Sequence, residues 1–180
     1  MKIIKNFIEF DFVEFIQDYL SIKINSNQFD QNSKKIEFGY SFYSDFLIET
    51  ILQNCCENIS KEINYKIFPS YSLTKVYSKN EILTIEENSN NCDYCGIIFL
   101  GYSNDEINNV SFHLKNKNST EEEILLNVGD LLFIEKKQFN NISVEMNEYL
   151  SLYSFLYFVS EDNLNHIYDG RPYLGFPKNP

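Results

Sequence analysis

The 180-residue chain sets 26 acidic residues against 15 Lys and Arg, for a net charge of −11, and is 43% hydrophobic and 16% aromatic. That hydrophobic content supports a single folded domain with its own core and argues against disorder. An acidic surface repels phosphate backbones, so nucleic acid is set aside as a partner and a basic peptide or protein is the compatible charge class. No apolar run reaches membrane-spanning length and no basic-then-apolar leader opens the sequence, so no membrane is expected and the chain reads as soluble and cytoplasmic.

Residues 1–10 alternate apolar and polar side chains, which predicts an opening strand or a strand leading into a helix. Phe12, Val13, Phe15, Ile16, Tyr19 and Leu20 then recur at helical spacing as a core face, with Asp11 placed as N-cap. Residues 21–37 are polar and read as a loop between weak elements. Residues 38–45 lead into a second helix capped near Asp45, whose apolar face is Phe46, Leu47, Ile51, Leu52, Cys55 and Ile59. Pro69 marks the change from helical to extended chain.

The remaining chain reads as strands. Residues 71–77 are aromatic and β-branched, Ser78-Lys79-Asn80 is a polar turn, 82–85 is extended, and 97–100 is a buried apolar run. A loop over 101–109 precedes a short strand at 110–114 carrying His113, and 115–123 is a polar hairpin region. Asn127-Val128-Gly129-Asp130 is a turn signal ahead of the apolar run 131–134, and 150–159 is another long apolar strand. Helices first and strands after suit a strand barrel backed by N-terminal helices, a pattern that an all-β sandwich with N-terminal helices shares.

Most familiar chemistries find no support. Cys92 and Cys95 have CxxC spacing, but the only further thiols, Cys55 and Cys56, are adjacent in sequence, and the pair leads into a strand rather than a helix. Ordinary reduced thiols are expected. No GxSxG turn and no glycine-rich phosphate loop occurs. Glu121-Glu122-Glu123 lacks the spacing of a calcium loop and reads as a solvated strand end. His113 and His166 read as surface or packing residues, with an unconventional metal site involving either one and Glu86 or Glu87 left open.

Residues 71–100, YSLTKVYSKNEILTIEENSNNCDYCGIIFL, resemble a segment of the iron(II)/2-oxoglutarate oxygenase superfamily in its prolyl 4-hydroxylase-like branch. There, a strand ending in Tyr leads through a turn to a Leu, then a His three residues on and an Asp two further, then a Cys-Glu pair and an apolar strand. Leu83 matches the Leu and Cys92-Asp93 the Cys-Glu pair. Further anchors follow in the same order: Phe42-Tyr43-Ser44-Asp45, Ile67-Phe68-Pro69-Ser70-Tyr71-Ser72, Gly129-Asp130-Leu131-Leu132-Phe133, and Tyr168-Asp169-Gly170-Arg171-Pro172 with Leu174-Gly175.

The resemblance implies an α+β, mainly β fold: a double-stranded β-helix, a jelly-roll or cupin-like barrel, backed by N-terminal helices. It divides one domain, 1–180, into helical support (1–66), barrel core (67–160) and closing tail (161–180). Where the family holds its first His and its carboxylate, this chain has Glu86 and Asn88. Near the second His it has Asn140 and Asn141, with Ser143 in place of the arginine that follows. A carboxylate for an imidazole and an amide for a carboxylate do not make a 2-His-1-carboxylate iron site. The last strand offers no basic residue for the distal carboxylate of 2-oxoglutarate. Lys75 matches an arginine of the first core strand, but supplies a point charge rather than a fork.

Neither iron(II) nor 2-oxoglutarate is therefore expected to bind. The resemblance implies a pseudo-oxygenase whose cleft, around Tyr71, Lys75 and Tyr77, takes a peptide, a protein partner or a small ligand, with homo-oligomerisation open. The alternatives are an active hydroxylase with a rearranged metal site and a partner subunit of an active relative.

Overall fold

The computed structural model describes residues 1–26, 34–36, 39–77, 83–84, 92–103, 108–116, 121–144 and 149–166. Strand β1 (Lys2–Ile4) precedes helix α1 (Phe10–Asn25); β2 (Lys34–Ile36) and β3 (Gly39–Tyr43) precede α2 (Phe46–Ile63). The strands β4 (Ile67–Tyr77), β5 (Leu83–Thr84), β6 (Tyr94–Tyr102), β7 (Asn109–Asn116) and β8 (Glu121–Asn127) follow. Then come β9 (Leu131–Glu135), β10 (Phe139–Val144) and β11 (Ser151–Ser160), with 3-10 turns at Lys136–Gln138 and Glu161–His166.

These strands form two antiparallel sheets. The larger has the order β1-β9-β6-β11-β4-β3-β2 and the smaller β5-β10-β7-β8. From β4 onward the chain crosses repeatedly between sheets, so strands distant in sequence become neighbours. This winding is the double-stranded β-helix that the resemblance implies. The first 66 residues supply strands as well as helices: β1, β2 and β3 extend both edges of the larger sheet.

Two cores follow from strand alternation. Tyr71, Leu73, Cys95, Ile97, Phe99, Phe112, Leu114, Tyr153, Phe155 and Tyr157 face the space between the sheets. Ile98, Leu100, Leu131, Leu156 and Phe158 face the other way and pack under the helices. Strand β6 is buried on both faces, which is why 97–100 is an unbroken apolar run rather than an alternating one. Two irregularities bend the long strands. Tyr157 pairs with Tyr71 but Phe158 with Pro69, leaving Ser70 as an extra residue beside the proline, which has no N–H to give a ladder. Leu152 pairs with Gly101 and Tyr153 with Phe99, and Gly101 takes a φ of +115° there.

Helix α2 is tied down as its sequence predicts. Asp45 is its N-cap, accepting from the Leu47 N–H at 3.0 Å, while its other oxygen accepts from Lys23 Nζ at 2.6 Å and the Tyr19 hydroxyl at 3.1 Å. Glu49, also buried, accepts from the Ser72 N–H and hydroxyl, both at 2.7 Å. Each buried carboxylate is thus compensated. The Asn127–Asp130 turn clamps the N-terminus. Gly129, at φ +83°, accepts from the Ile8 N–H, and buried Asp130 accepts from Lys5 Nζ at 2.7 Å and the N–H groups of Asn6 and Asn127.

Three expectations need correction. Asp11 is not the cap of α1; Glu9 holds that position, without a side-chain bond, and Asp11 sits in the first turn where the helix dipole favours it. Helix α1 runs to Asn25, into the stretch read as loop, because Leu20, Lys23 and Ile24 continue its packed side. Phe12, Phe15 and Phe46 are not core residues: they are 41%, 52% and 65% exposed. The stripe that meets the sheet is Val13, Ile16 and Leu20, rotated round the helix from the phenylalanines. Among the described residues no helix is long and apolar enough to cross a membrane.

Candidate functional site

The candidate site is the space between the sheets, built chiefly by β4 and β11. On β4, alternation places Tyr71, Leu73, Lys75 and Tyr77 at successive inward positions, so the three residues singled out for a cleft share one face. Strand β11 answers with Tyr157 opposite Tyr71, Phe155 opposite Leu73 and Tyr153 opposite Lys75. The result is an aromatic interior. Tyr71 stacks on Tyr157 with ring centroids 4.4 Å apart. Tyr153 is completely buried and meets the rings of Phe99, Tyr77 and Phe112 at 5.4, 5.8 and 5.9 Å.

Polar atoms in this interior are few and in unusual settings. The Tyr153 hydroxyl is buried beside Ser151 and Tyr102, with no well-formed hydrogen bond among the described residues. Burial raises the phenols of Tyr153 and Tyr157 and the Cys95 thiol, so all three stay neutral at physiological pH. Two ammonium groups fringe the aromatic lining. Lys75 Nζ lies 5.5 Å from the centre of the Tyr77 ring. Lys136 Nζ lies 6.0 Å from that of Tyr157 and 3.4 Å from Cys92 Sγ.

The other predicted positions are placed unevenly. Glu86 and Asn88 lie outside the described residues. Asn141 is in β10, opposite Lys115 and beside a register shift between Phe139 and Asn141. His113 is exposed on β7, between inward Phe112 and Leu114, so its imidazole is on the outside of the barrel. His166 ends the last 3-10 turn. The four cysteines are free thiols, and among the described residues no group of three or more His, Cys, Asp and Glu could hold a metal.

No protein-family model and no curated protein sequence matches the chain. Solved structures do. A prolyl-4-hydroxylase from Pseudomonas putida superposes with a TM-score of 0.65 at 8% identity, covering 89% of this chain and 92% of its own. An oxidoreductase of the 2OG-Fe(II) oxygenase family from Burkholderia pseudomallei gives 0.58 at 10% identity, covering 81% and 80%. HygX from Streptomyces hygroscopicus, solved with nickel and 2-oxoglutarate, gives 0.59 at 10% identity, covering 88% and 82%. The chain has the fold of the iron(II)/2-oxoglutarate oxygenases.

The positions that the resemblance sets against the family's metal ligands, Glu86, Asn88 and Asn141, carry a carboxylate and two amides. The inward row of β11 is Tyr153, Phe155 and Tyr157, and among the described residues Lys75 is the ammonium that stands across from it on β4. Tyr153 is the residue that sequence reasoning missed. Its signal was the Tyr-Phe-Tyr alternation at 153, 155 and 157, which apolar Leu152, Leu156 and Phe158 on the other face conceal.

Proposed function

We propose that this chain is a binding or interaction module on an oxygenase-type barrel that has lost iron binding and catalysis. The observation that carries the reading is the inward row of β11: Tyr153, fully buried among three rings, fills the interior beside Lys75. An anionic cosubstrate there would have to displace packed aromatic surface and face neutral phenols. The donor chemistry of Glu86, Asn88 and Asn141 supports the same reading. What remains suited to a ligand is the half-buried rim of that interior, Tyr71 with the ammonium groups of Lys75 and Lys136, which favours a small or peptidic ligand with an aromatic or apolar body.

Metal analysis after incubation with ferrous iron, together with succinate formation from 2-oxoglutarate, tests the proposal. Substoichiometric iron and background succinate are expected. Stoichiometric iron held at about micromolar affinity or tighter, or iron-dependent succinate release, would replace it with a working oxygenase whose site is rearranged.

A further inference from the structure

Apart from the Tyr19 hydroxyl, which bonds Asp45, the outer apolar side chains of α1 form a pattern that the barrel does not use. Phe12, Phe15, Tyr19 and Ile22 are spaced three, four and three residues apart, the a/d spacing of a helix–helix seam. Phe12 and Phe15 stack in parallel with centroids 5.8 Å apart. Phe15 and Ile22 are more than half exposed, Phe12 is 41% exposed and Tyr19 is half-buried. The seam is about 15 Å long. At Phe12 it opens into a groove of about 790 Å³ between the start of α1 and α2, floored by Ile8, Leu47, Ile51 and Cys55. Contiguous exposed apolar surface of this kind marks an interaction site.

Charge selects the occupant. The carboxylates of α1, Asp11, Glu14 and Asp18, are all exposed, while its single basic residue, Lys23, is buried against Asp45, and the lysines that line the groove, Lys5 and Lys61, are each paired with a carboxylate, Asp130 and Glu57. The solvent side of the seam is therefore acidic. Two copies docked seam to seam would bring their acidic flanks, Asp11 and Asp18, against each other, a like-charge contact that disfavours self-association through this face. We infer that the α1–α2 face docks an amphipathic helix of a partner protein, apolar along one stripe and flanked by Lys or Arg. The inference stands apart from whatever the barrel interior binds.

The test uses the whole chain and two labelled helical peptides of about 20 residues, both with Leu at a and d, one with Lys and one with Glu at e and g. Fluorescence anisotropy should show saturable binding of the Lys-flanked peptide and at least about tenfold weaker binding of the other. Phe15→Ser with Ile22→Ser should weaken the Lys-flanked peptide by about tenfold or more, and Asp11→Lys with Asp18→Lys should reverse the preference. All four positions are exposed, so circular dichroism should report an unchanged fold. Equal binding of both peptides overturns the inference, as does indifference to either double variant. A dimer in sedimentation that Phe15→Ser with Ile22→Ser makes monomeric also overturns it, and assigns the face to a second copy.

Discussion

Tyr153 offers the sharpest check on a filled barrel, because its ring and its hydroxyl make opposite predictions. The ring is fully buried against Tyr77, Phe99 and Phe112. Tyr153→Ala removes that contact surface and leaves a cavity that rigid strands on both sides cannot close, which costs about 3–5 kcal/mol. In a domain of this size that lowers Tm by roughly 6–20 °C. The hydroxyl, by contrast, is buried beside Ser151 and Tyr102 with no well-formed hydrogen bond among the described residues. A weakly bonded buried hydroxyl adds little to the folded state, so Tyr153→Phe should change stability by less than about 1 kcal/mol. Urea unfolding followed by circular dichroism measures both, provided the slope stays constant across variants. A cost above about 1.5 kcal/mol for Tyr153→Phe would mean the hydroxyl is firmly held and the interior is a polar site. A cost below about 1 kcal/mol for Tyr153→Ala would mean the interior is loosely packed and has room for a cosubstrate.

Other variants probe the frame. Asp45→Ala removes the α2 cap and strands buried Lys23, which should cost about 3–5 kcal/mol in urea unfolding; Asp45→Asn combined with Lys23→Met should recover most of it. Burial works against the Asp130 carboxylate, but the bonds from Lys5, Asn127 and Asn6 prevail and hold its pKa below the usual carboxylate range. Its stabilisation is therefore fully present above about pH 4 and is lost as pH falls through the depressed folded value; acid titration of Asp130→Asn should show that part of the pH dependence gone. Burial raises the Cys55 and Cys95 thiols and pushes Cys56 up to about 11, against the opposing Ser60 bond, whereas Cys92 is partly exposed. Mass-spectrometric mapping of iodoacetamide labelling should find Cys92 modified first and Cys55 and Cys95 only after unfolding; early labelling of Cys95 would show that the barrel end opens.

Local pattern carried much of this protein. The alternation along 71–77, the Asp45 cap and the glycine turn at 127–130 are all properties of short stretches, readable because strand and helix periods are local. Helical spacing also put Phe12, Phe15 and Ile16 together as apolar, but a period says only that side chains share a side. Which side meets the sheet depends on where β6 and β9 lie, and that turned Ile16 inward and left the phenylalanines outside. The same holds for β11. Its sequence is a nearly continuous apolar run, and only pairing with β4, about 80 residues earlier, decides that Tyr153 rather than Leu152 occupies the centre of the barrel. Long-range strand order and register are set by the fit of distant surfaces, and no single segment encodes them.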